Sequence, residues 1–342
     1  MAVVMFHFQP AFARSFSLNA RTLLIDRGYL WVDFFFLLSG FILCHVHAEE
    51  FAKRPVPYRE FLFKRIARVY LLHILTLFAL LLPIFEPSTT DAKVATTSFM
   101  SNVLLVHAWG VLDGLTWNYP SWSISAEWAA YLLFPAIITV FYRAPLALAA
   151  SLAIAALFGL DWLSASVDPQ HTHSFRWLSF NFGWLRCILL FSTGVVIFRI
   201  FEVRPSFMRS DLVFGALAAG ILIGMHFGVR DILIVLLMCG LLCAAALNQG
   251  KAKRLLSLQP IYYLGVVSYS VYMTQVFVEF GFLDKPSFQN FVTHLSAPTG
   301  FLVYLLACAS MIGIAGAIYW SVELPGRSLV NWISERTART TV

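Results

Sequence analysis

The chain has 342 residues, of which 59% are hydrophobic and only 12% charged, and its mean hydropathy is +0.76. Too few polar side chains exist to cover a water-facing surface, which excludes a soluble globular domain, a disordered chain and a disulfide scaffold. The net charge of +6 comes from 24 Lys and Arg against 18 Asp and Glu; the basic residues sit between apolar runs, so they report membrane topology rather than nucleic-acid binding.

Ten apolar segments follow one another: 1–13, 29–48, 62–84, 122–142, 145–160, 184–201, 211–227, 231–248, 261–282 and 299–320. The runs are continuous rather than alternating, which favours helices over a transmembrane barrel. The expected fold is an all-α polytopic membrane protein with about ten transmembrane helices, forming one domain over 1–342. The first segment is short: about 12 residues make roughly 18 Å of helix against a core of about 30 Å. It reads as a truncated helix, most simply through a late start of the chain. The start has no basic n-region and no A-x-A-like site, so no cleavable signal peptide is expected. The longest polar connection, 85–121, contains the apolar patch Asn102–Gly110, which is too short to span and is expected to be re-entrant or interfacial.

With the N-terminus inside, the inner connections hold 16 Lys and Arg and the outer ones 7, among them Lys53, Arg54, Arg336 and Arg339 inside and Arg14, Arg21, Arg27 and Arg176 outside. The bias puts both termini in the cytoplasm. Arg186 lies within a segment. The five cysteines all fall in apolar segments, with no CxxC pair, and read as small buried hydrophobes.

An ionisable residue in a membrane segment is costly and marks a functional site by default. His7, Asp33 and Glu127 are such residues. Counted from the segment ends, each lies about five residues, or roughly 8 Å, from the outer surface. An imidazole beside a carboxylate is a general-base arrangement, whereas a purely structural polar pair would only hold helices together. Arg65 and Arg68 stand at i, i+3 near the inner end of the third segment and share a helix face. Two guanidiniums there suit phosphate groups, although alone they would read as a positive-inside anchor. His45 and His47 do not share a face, so no metal pair is expected. His171 and His173 fall in an outer loop. No GxSxG elbow, Walker loop or GxGxxG is present.

The stretches VVMFHF, GYLWVDFFFLLSGFIL, FLFKRIARVYLLH, NYPSWSISAEWAAYLLFP, YLGVVSYSVYMTQ and VELPGRSL, in this order, resemble the acyltransferase-3 family of integral membrane O-acyltransferases. The similarity runs from residue 1 to about 330, with 145–255 matching in hydropathy alone. The resemblance implies transfer of an acyl group, usually acetyl, from acyl-CoA as co-substrate, without a metal. The acceptor would be a hydroxyl of a cell-envelope glycan, a lipid-linked sugar or a small molecule. It implies a multi-pass protein of a bacterial-type inner membrane, in a lipid bilayer and with no nucleic-acid partner. His7 matches the first-helix histidine, Arg65 and Arg68 the Arg-x-x-Arg pair that serves the CoA donor, and Asp33 and Glu127 the acidic positions of two motifs. Three departures stand out. The family has an arginine eleven residues before the histidine, which here falls before Met1; Leu71 replaces a frequent proline; and Gln275 replaces a frequent histidine. Two other readings share the helix count: a transporter or flippase of a lipid-linked substrate, and a non-catalytic member of the family.

Overall fold

The computed structural model describes residues 1–16, 21–53, 58–82, 92–168, 170 and 172–328. Arg54, Arg336, Arg339 and His171 lie outside the described residues. Every element among the described residues is helical: α1 (Ala2–Phe8), α2 (Leu30–Lys53), α3 (Tyr58–Ala79), α4 (Ala92–Val103), α5 (Trp122–Leu132), α6 (Phe134–Ile137), α7 (Leu146–Val167), α8 (Gly183–Val203), α9 (Asp211–Phe227), α10 (Asp231–Leu247), α11 (Lys251–Leu256), α12 (Gln259–Val278), α13 (Pro286–Thr293) and α14 (Ala297–Ile318). Large apolar side chains such as Phe35, Ile42, Leu75, Phe158, Trp162 and Leu306 face outward, as lipid rather than water as solvent requires.

Five helices are long and apolar enough to cross a bilayer, and a sixth would be the bent pair Tyr119–Leu132 and Phe134–Tyr142. That is fewer than the ten segments read from hydropathy. α9 and α10 have 17 residues each, or about 26 Å of helix, short of a core of about 30 Å. α3 carries Arg59, Glu60, Lys64, Arg65 and Arg68 in its first half. The segment read as 122–142 is bent by 62° between Leu132 and Phe134. Pro135 cannot donate a backbone hydrogen bond into the preceding turn, and its ring crowds the carbonyl there.

The apolar side chains form two main cores. One joins α2, α5, α8 and α10 through Leu37, Ala126, Phe191 and Met238. The other joins α1, α12, α14 and α13 through Phe8, Val271, Tyr304 and Phe288. A smaller cluster of Val69, Leu72, Leu105, Ile124 and Met273 bridges them. Within the first core α2 and α8 meet backbone to backbone: a Cβ on Gly40 would lie 2.0 Å from the Phe191 carbonyl oxygen, and one on Gly194 2.1 Å from that of Leu37. Small residues at such a crossing are the usual means of close helix contact in lipid.

The patch Asn102–Gly110 begins as the end of α4 and continues as a loop that buries Leu105, His107 and Ala108 and exposes Leu104. Ser125 of α5 holds it, donating to the Leu105 carbonyl at 2.8 Å and accepting from the Ala108 N–H at 3.0 Å. Four cysteines are buried and Cys239 is half-buried, all as free thiols.

Candidate functional site

The seam between the two cores is polar, and the sequence-predicted residues lie along it or on its walls. α1 brings His7 to the short turn Tyr119–Ser121 that precedes α5. His7 Nδ1 lies 2.9 Å from the Tyr119 hydroxyl, which donates to Glu279 Oε2 at 2.6 Å. Glu279 stands just past the end of α12, in the π-helical turn Glu279–Leu283. The Tyr119 proton is directed at a carboxylate that can only accept. With Glu279 ionised, the tyrosine oxygen accepts from Nδ1–H of His7, and Nε2 keeps its lone pair. Phe6 and Tyr119 both meet the imidazole edge to face, with ring centroids 4.9 and 5.0 Å away. The charge that acts on His7 comes from Arg176.

Asp33 lies one turn into α2 and is fully buried. It takes a bidentate ion pair from Arg186 of α8, with Nε–Oδ1 at 2.6 Å and Nη2–Oδ2 at 2.7 Å. Arg186 is itself 1% exposed and donates its remaining Nη1 to the Phe175 carbonyl at 2.7 Å. Its guanidinium also lies 5.1 Å from the Trp122 ring. Asp33 is thus joined to Arg186 rather than to His7.

Glu127 on α5 accepts a hydrogen bond from Ser39 of α2 and another from Tyr131. Its electrostatic neighbours include Arg65 and Arg68 of α3. Arg65 is half-buried, its Nε has no hydrogen-bond partner although that atom is buried, and its guanidinium lies 5.9 Å from the Phe61 ring. Arg68 is exposed. Arg327 and Glu323 approach the same region: the two form an ion pair, Glu323 accepts from Ser270 at 2.5 Å, and Tyr269 senses Glu323, Glu127, Arg327 and Arg68 together. The structure therefore gathers Arg65, Arg68 and Glu127 at one end of the seam and places His7 at the other.

Half-buried polar side chains connect the two ends. Tyr272 donates to the Pro120 carbonyl at 2.5 Å, accepts from Ser123 at 2.8 Å and senses both Arg186 and Glu127. Tyr119 in turn senses Tyr272. Tyr272 and Tyr269 are both half-buried along this seam.

A fully buried pair of histidines stands beside this seam. His73 and His107 stack at 5.9 Å, His73 Nε2 meets the Asn102 carbonyl at 2.9 Å and His107 Nε2 meets Ser121 at 3.1 Å. Among the described residues no three His, Cys, Asp or Glu are grouped as metal ligands would be. Outside the membrane segments, burial pushes the Asp26 carboxyl above the usual carboxylate range, opposed by Arg176 and by a hydrogen bond with Gln9.

Tyr119, Glu279 and Arg186 escaped the sequence reading as members of the site. Arg186 was legible in principle, because an arginine inside an apolar segment needs an acid partner and Asp33 is one of few available. Glu279 falls at the end of its segment, where a carboxylate draws no attention. Tyr119 lies in a connection, where no periodicity points inward.

No solved structure matches this chain. Acyltransferase MdmB of Streptomyces mycarofaciens is 26% identical to it over 245 residues, covering 66% of this chain. The chain spans 59% of the length of that relative. A family model described as an acyltransferase domain matches residues 1–320. With that match across most of its length, the chain belongs to the acyltransferase-3 family.

Proposed function

We propose that the protein is a multi-pass membrane O-acyltransferase that moves an acyl group, most simply acetyl, from acyl-CoA to an acceptor hydroxyl. The observation that carries this reading is the hydrogen-bonded chain Glu279–Tyr119–His7, which with Glu279 ionised suits an imidazole protonated on Nδ1 with Nε2 open to accept a proton. His7 takes the proton of the acceptor hydroxyl, the hydroxyl oxygen attacks the thioester carbonyl, and the C–S bond breaks to release CoA. Arg65 and Arg68 hold the donor phosphates, and the buried unpaired Nε of Arg65 is a donor still in need of an acceptor. In this reading Glu279, through Tyr119, supplies the orientation that the sequence alone assigned to Asp33 or Glu127. Glu127 balances the Arg65 and Arg68 charges, and Asp33 fixes Arg186 in the wall of the seam. The acceptor is a cell-envelope glycan, a lipid-linked sugar or a small hydroxyl compound, and the bilayer is that of a bacterial-type inner membrane with both termini cytoplasmic.

The test is acceptor-dependent release of CoA from acetyl-CoA by protein purified in detergent, with a mixed envelope-glycan acceptor. His7→Ala is expected to lower kcat by about 10²- to 10⁴-fold, the range of a positioned general base, while CoA binding persists. Arg65→Gln and Arg68→Gln are expected to raise the KM for the donor. Full transfer by a folded His7→Ala protein would overturn the reading. CoA binding that depends on Arg65 without any release would identify a non-catalytic member of the family.

A further inference from the structure

The segment Ser174–Ser179, in the part of the chain where hydropathy alone was legible, brings Arg176 beside Phe6 and close enough for its charge to act on His7. This segment is firmly held. The Phe175 side chain is fully buried, its N–H donates to Asp231 at 2.7 Å, and its carbonyl accepts from Arg186. Tyr29 meets Ser174 at 2.8 Å, and Ser179 donates to the Arg176 carbonyl at 2.7 Å. The backbone of Arg176 is thus set before any ligand arrives.

The Arg176 side chain is exposed and lies over the Phe6 ring, with 5.2 Å from the guanidinium carbon to the centroid. Phe6 directly precedes His7. Neighbouring arginines are all engaged: Arg27 with Asp231 and the Gly228 and Val229 carbonyls, Arg186 with Asp33, and Arg230 with Asp161. Among the described residues the Arg176 guanidinium has neither a hydrogen bond nor an ion pair. Asp26 feels its charge through space, but the Asp26 carboxyl is hydrogen-bonded to Gln9. A guanidinium fixed on an aromatic face with its N–H groups open is a fork for a planar or tetrahedral oxyanion.

We propose that Arg176 positions the acceptor of this site, and that the acceptor carries an anion, a phosphate or a carboxylate, close to the hydroxyl that is acylated. This rests on His7 being the base of an acyl transfer. A sugar phosphate, a uronic acid and a phosphate-linked lipid sugar share the required chemistry. An arginine at a membrane surface can also pair with lipid headgroups, so the source of the anion is what the experiment separates.

The experiment uses the full chain in a neutral detergent with acetyl-CoA as donor. The acceptor probes are glucose, glucose 1-phosphate, glucuronate and farnesyl-phosphate-linked glucose. Binding of each probe is measured by equilibrium dialysis, and CoA release is followed beside it. The expected result is that the anionic probes bind at least tenfold more tightly than glucose. Arg176→Gln should then raise the KM for them tenfold or more with kcat within threefold, and Arg176→Lys should recover part of the loss. Equal binding of glucose and glucose 1-phosphate, or glucose 1-phosphate binding undiminished in Arg176→Gln, would overturn the proposal. So would a variant altered only in its association with phosphatidylglycerol. CoA release that survives His7→Ala would instead remove His7 as the base of the transfer, while the dialysis result would still decide whether Arg176 binds an anion.

Discussion

A tyrosine hydroxyl carries a single proton, so Tyr119 cannot donate to Glu279 and to His7 at once. With Glu279 ionised, the 2.6 Å contact takes that proton and leaves the 2.9 Å contact to Nδ1 as one that His7 donates. Tyr119→Phe removes the acceptor for Nδ1–H while keeping the aromatic edge against the ring. It is expected to lower kcat about tenfold or more, within the share a positioned base contributes, with the donor KM unchanged; steady-state CoA release with varied acetyl-CoA checks both parts. Asp168 stabilises the connection that leads from α7 towards Arg176. Burial opposes its charge, but the Thr172 hydroxyl and the N–H groups of Gln170 and Thr172, at 2.9 and 2.7 Å, hold its carboxyl below the usual range. A carboxyl whose folded value is lowered gives stability that is present above its unfolded value of about 3.9 and is lost as pH falls through the folded value. Hydrogen exchange at the Gln170 and Thr172 amides should therefore show protection at neutral pH that disappears below about pH 4. Asp168→Asn should weaken it at neutral pH.

α2 and α8 are the elements that fix the frame of the site, and their contact depends on Gly40 and Gly194 as much as on the ion pair. Ser39-Gly40, two small residues in a row inside an apolar segment, is a sequence pattern that permits close packing. That Gly194 is its partner was not legible, because a glycine in an apolar run declares no neighbour. The same asymmetry holds for Asp33: its cost inside a membrane segment was plain, but whether that cost was met by His7 or by Arg186 depended on which helix lay alongside. Hydropathy also read 122–142 as one segment, although Pro135 in it was the visible cause of the bend. A buried carboxylate and guanidinium joined by two hydrogen bonds have a testable energetic consequence. Asp33→Leu leaves Arg186 charged, buried and unpaired, which is expected to cost about 3 kcal/mol or more. The double variant Asp33→Leu with Arg186→Leu removes both charges and should recover most of that loss. Thermal unfolding of the three proteins in the same detergent measures the coupling. Additive losses would mean that the two side chains do not depend on each other.

For the whole molecule, α2 serves as a ruler. Asp33 near its start belongs to the end where Arg186, Phe175 and Arg176 gather. His47, fourteen residues on and about 21 Å along the helix, has its ring 5.4 Å from Phe61, the residue over which Arg65 lies. α12 gives the same sense: Gln259 follows the basic α11, and Glu279 reaches Tyr119 about 30 Å away along the helix. The Arg65 and Arg68 end and the His7 and Arg176 end therefore face opposite ends of the bundle, with the polar seam between them. If the basic connections are cytoplasmic, the donor enters from the cytoplasm and the acceptor from the other side. Proteoliposomes with acetyl-CoA on one face only test this. Single cysteines at Gln170 and Ser257, labelled with an impermeant maleimide, report orientation over a low background, because four native cysteines are buried and Cys239 is half-buried. The two positions should label from opposite faces. Acceptor on the Gln170 side should be acylated when acetyl-CoA is supplied on the Ser257 side. Acylation only of acceptor that shares the acetyl-CoA compartment would show that the reacting hydroxyl reaches His7 from the cytoplasmic end, and the seam would then carry acceptor and donor by the same entrance.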